Sequence, residues 1–161
     1  MKLDEIDYKL LRVLVQDARK PAQEIAKDTG KHLTTITRRL KTLEQENIIQ
    51  GYTALLDYEA LGLELTVISQ LLFSKGRLFE GEKEIAEIPG VCAVYDITGS
   101  FDAIVIAKFA SKNEVSAFTK KLLSMSFVER TETHIVLNII KEDFRLPEQI
   151  EKLSVTEEMT E

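Results

Sequence analysis

Lys31, His32, Thr34, Thr35, Thr37, Arg38, Arg39 and Lys41 fall within eleven consecutive positions, and no acidic residue lies between positions 29 and 43. These residue types share the chemistry of contact with a polyanion whose edges can also be read. Lysine and arginine meet phosphate oxygens, and arginine can instead grip a guanine edge through two parallel hydrogen bonds. A threonine hydroxyl donates or accepts, and its methyl can lie against the methyl of thymine. Taken alone, the stretch is equally compatible with an ordinary solvated helix face. No catalytic set stands out elsewhere. There is one cysteine, Cys92, and there are two histidines, His32 and His134. They leave no intramolecular disulfide and no cysteine-based zinc site. No paired carboxylates and no nucleophile with its base are evident. The chain is expected to be no enzyme and to need no metal or cofactor.

The chain's net charge of −6 argues mildly against a polyanionic partner, but its distribution matters more. Residues 1–50 carry ten basic and eight acidic side chains, residues 51–145 ten and fourteen, and residues 146–161 one and five. The basic stretch is thus a local feature of an acidic chain.

The elements that must position that stretch are legible from apolar spacing. Ile6, Leu10, Val13 and Leu14 predict a first helix over 5–16, with Asp4 as its N-cap. Pro21 suits the start of a second helix that ends near Gly30. Leu33, Ile36, Leu40 and Leu43 predict a buried face on a third helix running from about His32 to Asn47. Asn47 sits where a left-handed capping residue is expected. The short link at Gly30 makes this a three-helix, winged helix-turn-helix pattern. The buried face leaves Thr34, Thr35, Thr37, Arg38 and Lys41 largely off it. His32, Thr34 and Thr35 are early enough in the helix to reach base edges of double-stranded DNA. Lys31 and Lys41 are phosphate candidates, and Arg38 is left between guanine and phosphate.

The rest of the chain contains an internal repeat. A shift of 37 positions lays TVISQLLFSK (66–75) over AIVIAKFASK (103–112), and VCAVYDI (91–97) over VERTETH (128–134). Leu78, Ile85 and Ile88 then match Val115, Leu122 and Met125. Each half reads strand, helix, strand, so the two predict a ferredoxin-like βαββαβ domain and an α+β chain. The expected division is 1–47 for the helix-turn-helix, 48–62 for an extended arm, 63–145 for the βαββαβ domain and 146–161 for an acidic tail. That tail is expected to hold a short helix near Glu148–Leu153. Ile104–Ala107 and Ile135–Ile140 are apolar on both faces of their strands, yet two helices can cover only one face. A second copy of the same sheet is the expected cover, hence a homodimer. No apolar run approaches the roughly 18–20 residues of a membrane span. MKLDEIDYKL lacks the apolar core of a signal peptide, so a cytoplasmic protein is expected.

With these residues in order, LDEIDYKLLRVLVQDARKPAQEIAKDTG and TTITRRLKTLEQENIIQGYTALLDYEALG resemble the N-terminal domain of the Lrp/AsnC (feast/famine) regulators. IPGVCAVYDITGSFDAIVIA and VERTETHIVL resemble their ligand-sensing RAM domain. The resemblance implies a transcription regulator whose dimers assemble into tetramers, octamers or larger rings. It also implies a small-molecule effector, a free amino acid, bound where dimers meet. Gly99-Ser100-Phe101-Asp102 stands where the family has Gly-(Asp/Asn)-Tyr-Asp, and His32 stands where it often has Ser. On this pattern Asp102 would take the effector's ammonium group, with the Gly99–Ser100 backbone, Thr131 and Thr133 holding the rest. Arg39 matches a family arginine and is left between DNA contact and an ion pair with an acid of the first two helices. Two alternatives remain: an enzyme like the sirohaem decarboxylases, which share the two-domain arrangement, and an architectural DNA-binding protein without effector.

Overall fold

Asp4 starts the first helix by spending its carboxylate on the chain itself. Its side chain accepts from the N–H groups of Ile6 and Asp7, and Asp7 returns the contact by accepting from the Asp4 N–H at 3.1 Å. This reciprocal cap opens α1 (Glu5–Gln16). The computed structural model describes residues 2–74 and 78–158, with the side chains of 78–80 and 155–158 outside that description. Lys75 and the Leu78 side chain of the repeat, and the last three tail residues, therefore lie outside the described residues.

α2 (Ala22–Thr29) and α3 (Leu33–Gln45) follow. Pro21 is the N-cap of α2 rather than its first residue: its carbonyl accepts from Glu24 and Ile25. Gly30 adopts φ +64, and the Lys31 N–H then reaches back to the Ala26 carbonyl, which turns the chain within three residues. Asn47 does the same at the end of α3, at φ 58, with the Ile48 N–H on the Leu43 carbonyl. Leu10, Ile25, Ala26, Ile36 and Leu43 form the core of this unit. The expected buried face of α3 needs one correction. Leu33 is 40% exposed, because it is the first residue of the helix and overhangs the turn instead of facing α1.

The expected wing is not formed within the chain. Between the end of α3 and residue 65 no strand forms. The arm has no neighbouring strand to pair with and is tied only locally, as where the Tyr52 hydroxyl donates to Glu44 at 2.9 Å. Within the arm, residues 57–62 make a hydrogen-bonded turn in which the Asp57 side chain accepts from the Ala60 N–H.

The second unit follows the repeat closely. β1 (Leu65–Phe73), α4 (Leu78–Ala86) and β2 (Val91–Asp96) form one half; β3 (Ala103–Phe109), α5 (Lys112–Ser124) and β4 (Val128–Ile135) form the other. The sheet is antiparallel in the order β2-β3-β1-β4. Val67, Leu71, Phe73, Val105 and Ala107 pack against Ile85, Ile88, Val115, Phe118 and Leu122, so both helices lie on one face. The α5 cap is a variant of the expected box: Ser111 accepts from Glu114, whose carboxylate accepts from Ala110 instead of Ser111. Cys92 sits at a register shift in β2 and is exposed, because the extra residue there turns it out of the ladder.

The opposite face carries Ile68, Leu72, Ala93, Tyr95, Ile104 and Ile106, half-buried or exposed. One end of it is closed by the chain itself: Lys108, only 6% exposed, donates to Thr66 Oγ1 and lies over the Tyr58 ring.

The tail departs from expectation. It forms a longer helix, α6 (Pro147–Glu158), packed on α1. Residues 141–161 therefore group with residues 1–55 as one unit, and 56–140 form the other. The physical reason is a second half-buried stripe on α1, which the three-helix core leaves uncovered.

Arg39 joins α3 to the start of α1. Its guanidinium donates to Asp7 Oδ1 at 2.8 Å and pairs with Asp4 Oδ2 at 2.6 Å. Asp7 is 1% exposed. Burial works against ionising Asp4, but Arg39 and the N–H groups of Asp7 and Ile6 outweigh it and hold its carboxyl below the ordinary range. A lowered carboxyl contributes stability above its ordinary titration range, and that contribution is lost as pH falls through the lowered value. Arg39→Ala should cost about 3 kcal/mol of unfolding free energy at pH 7, because it leaves a buried carboxylate unpaired. In urea melts the cost should shrink as the pH is taken below that of ordinary carboxylates; an equal cost at both pH values would remove the ion-pair account.

Candidate nucleic-acid interface and effector site

The exposed side of α3 is ordered by its period. Thr34, Thr37, Arg38 and Lys41 are exposed at i, i+3, i+4 and i+7, forming one stripe directly opposite Ile36 and Leu43. Lys31, His32 and Leu33 continue it at the head of the helix, all exposed. Arg38 and Lys41 have no ion-pair partner among the described residues. Thr37 donates its hydroxyl to the Leu33 carbonyl at 3.0 Å, which leaves its lone pairs and methyl outward. Thr35 is half-buried at the edge of the stripe. His32 is the N-cap of α3 but makes no side-chain capping bond. Arg39 lies off the stripe and is committed to Asp4 and Asp7. Of its two roles left open by sequence, the geometry supports the ion pair.

Asp102 stands at the mouth of the β2–β3 hairpin. Its Oδ2 accepts from the Phe73 N–H at 2.7 Å, its own N–H donates to Leu71, and its carbonyl accepts from Ile97. It therefore holds the irregularity between Leu72 and Phe73 in β1. Gly99 has φ +130 and nothing within 4 Å of where a Cβ would stand, so the loop of Gly99 and Ser100 is open. Phe101 lies under the Arg130 guanidinium at 5.5 Å.

Thr131 and Thr133 share one side of β4, as their spacing requires. Their cross-strand neighbours Leu71 and Ser69 show that this is the helix-covered side. Thr133 is already partnered, with its hydroxyl 2.8 Å from that of Ser69. The Thr131 Oγ1 is buried with no hydrogen-bond partner. Period alone said the two threonines point together; it could not say which face the helices take.

Sequence reasoning missed Glu82 on α4. Its Oε1 is buried without a partner. Burial, and behind it the charges of Asp96 and Asp102, push its carboxyl above the ordinary range. No sequence signal marks it, since one more glutamate on a charged helix is unremarkable composition. Among the described residues no group of His, Cys, Asp and Glu could hold a metal ion, and no helix is long and apolar enough to cross a membrane.

Two family models match the chain: the AsnC-type helix-turn-helix domain over residues 3–44 and the Lrp/AsnC ligand binding domain over residues 66–146. An uncharacterised HTH-type transcriptional regulator of Pyrococcus horikoshii is 44% identical over 146 residues, covering 91% of this chain and 99% of its own. The HTH-type transcriptional regulator FL11 of the same organism is 34% identical over 145 residues, covering 90% and 96%. Among solved structures, a transcriptional regulator of Neisseria meningitidis in complex with L-Met superposes with a TM-score of 0.83 at 30% identity, covering 91% of this chain and 97% of that one. These relatives are DNA-binding regulators, which sets the enzymatic alternative aside. The ligand-binding match likewise favours an effector-responsive regulator over an architectural one. With a helix-turn-helix at one end and a βαββαβ ligand-binding domain behind it, the chain belongs to the Lrp/AsnC family of transcription regulators.

Proposed function

We propose that the protein reads DNA through the stripe of α3 and that an amino acid bound at the βαββαβ domain adjusts that reading. The observation that carries this is the acid-free exposed stripe Thr34, Thr37, Arg38 and Lys41, held outward by the Arg39 link. His32, Thr34 and Thr37 lie toward the end of the helix that meets base edges in a helix-turn-helix, and Thr35 supports them from the edge. Arg38 selects sequence, while Lys31 and Lys41 neutralise phosphate.

Two copies of the chain join through the face bearing Ile68, Leu72, Ile104 and Ile106, which no helix covers. Leu137 and Ile140, 90% and 92% exposed, extend the apolar surface beyond β4. A two-fold dimer presents two α3 helices to half-sites about one helical turn apart. Further assembly of dimers, as the family resemblance implies, brings the Gly99–Asp102 loops to the contacts where an effector binds. There the Asp102 carboxylate accepts from the ammonium group of an amino acid, aided by the open Gly99–Ser100 backbone. Glu82 and Thr131 offer the unpartnered polar atoms nearby in the same domain; Thr133, already bonded to Ser69, contributes by position. The L-Met complex of the Neisseria meningitidis regulator supports this effector class.

Three measurements test the reading. Arg38→Ala should weaken binding to a selected operator by roughly ten-fold or more, and to random DNA far less, whereas Lys41→Ala should weaken both alike. Equal losses for both variants on both DNAs would refute the division of roles. Ile106→Lys should halve the sedimenting mass at micromolar concentration; an unchanged mass would place the dimer elsewhere. Finally, one or more of the twenty amino acids should raise the melting temperature, and Asp102→Asn, which keeps an acceptor for Phe73, should abolish the rise. No shift with any of the twenty would end amino-acid sensing.

A further inference from the structure

The family model for the ligand-binding domain ends at Leu146, and α6 begins at the next residue. α6 therefore lies beyond the family model, and the relatives of Pyrococcus horikoshii are matched over nearly their whole length by about nine-tenths of this chain. It is nevertheless part of the DNA-binding unit. Tyr8, Arg12 and Val15 are half-buried at i, i+4 and i+7 on α1 and are not part of the three-helix core. Along α6, Pro147, Ile150 and Ser154 are half-buried, while Glu148, Gln149, Glu151, Lys152 and Leu153 are exposed. The Arg12 guanidinium pairs with Glu151 across the contact.

The charge of this added helix is opposite to that of the unit it joins. Residues 1–55 carry ten basic and eight acidic side chains, a net of +2; α6 adds one basic and four acidic ones, a net of −3, which brings the sum to −1. We propose that α6 is a built-in acidic restraint: docked on the back of α1, it reverses the net charge of the DNA-binding unit and weakens its hold on DNA without touching it. The inference rests on the DNA-binding reading above. Packed helices sit roughly 8–10 Å apart, and α6 reaches α3 only through α1, so its charges act over about two such spacings, a distance at which they are attenuated by the Debye length of about 10 Å at 0.1 M salt and felt more as salt is lowered. A charge one helix layer behind α1 is therefore felt at low salt and screened at high salt. The restraint acts on phosphate attraction, so it bears on random and specific DNA alike and leaves the choice of sequence to α3.

The test compares the full chain, a chain ending at Leu146, and the full chain with Glu148→Gln and Glu157→Gln, which leaves the Arg12–Glu151 pair in place. Affinity for a random duplex is measured across a salt series. At about 50 mM salt the shortened chain should bind roughly five-fold tighter than the full one and the double variant about two-fold tighter, with the three curves meeting near 300 mM. Should the shortened chain lose structure, the double variant carries the test, and its tighter binding at low salt supports the restraint. Identical affinity of the double variant and the parent at low salt overturns it, and makes α6 a support of the fold alone. Gains that persist undiminished at high salt also overturn it. Failure of all three chains to bind any DNA is the distinct outcome that removes the DNA-binding reading itself.

Discussion

A guanidinium placed between two carboxylates governs how this protein can meet DNA. Asp4 and Asp7 are drawn together by the cap of α1, and that pairing of like charges would be costly without Arg39. Arg39 comes from α3, so the cap of one helix fixes the rotation of another. The fixed rotation sends Ile36 and Leu43 inward and Thr34, Thr37, Arg38 and Lys41 outward. An arginine amid a basic stretch thus serves the fold, and its neighbour Arg38 serves the surface. A small core of five buried side chains gives little torque against helix rotation, which is why a directional ion pair matters here more than it would in a large domain.

The second unit is governed by a different constraint, the covering of a sheet. Duplicated βαβ halves put both helices on the same side, and the fold then leaves a face of Ile68, Leu72, Ile104 and Ile106 to be covered by other means. The chain closes one end itself, by laying Tyr58 over the buried Lys108, a device that satisfies a cation with a hydroxyl and an aromatic ring. At the opposite end of the strands, Asp102 ties the hairpin to the irregular step in β1. A carboxylate bonded to the backbone of a neighbouring strand couples the hairpin loop to the sheet.

Much of this was legible because the sequence states its own symmetry. The 37-residue shift pairs the segments that become β1 with β3 and β2 with β4, and Gly30 and Asn47 announce their left-handed turns by residue type. What stayed hidden depended on three-dimensional context. Alternation places Thr131 and Thr133 on one side of a strand but does not reveal which side the helices choose. Helical spacing assigns Leu33 to the apolar row, yet the first residue of a helix has no preceding turn to pack with. Asp102 reads as a turn or ligand residue, and only the fold shows its bond to a backbone N–H in another strand. The tail helix is longer than its own residues announce, because its half-buried Pro147, Ile150 and Ser154 and the Glu151 ion pair belong to a contact with α1.

The placement of α6 also shapes how the molecule is made. The DNA-binding unit is assembled from segments on either side of the sheet domain, with α6 starting 131 positions after the last residue of α1. At ribosomal speeds of about 5–20 residues per second, α1 to α3 wait on the order of ten seconds for their fourth helix. During that interval the nascent unit has its basic face and lacks its acidic partner, while the sheet domain, whose pairings are of long range, is still forming. Completion of the last helix thus closes the DNA-binding unit, whose two segments flank the sheet domain in the sequence.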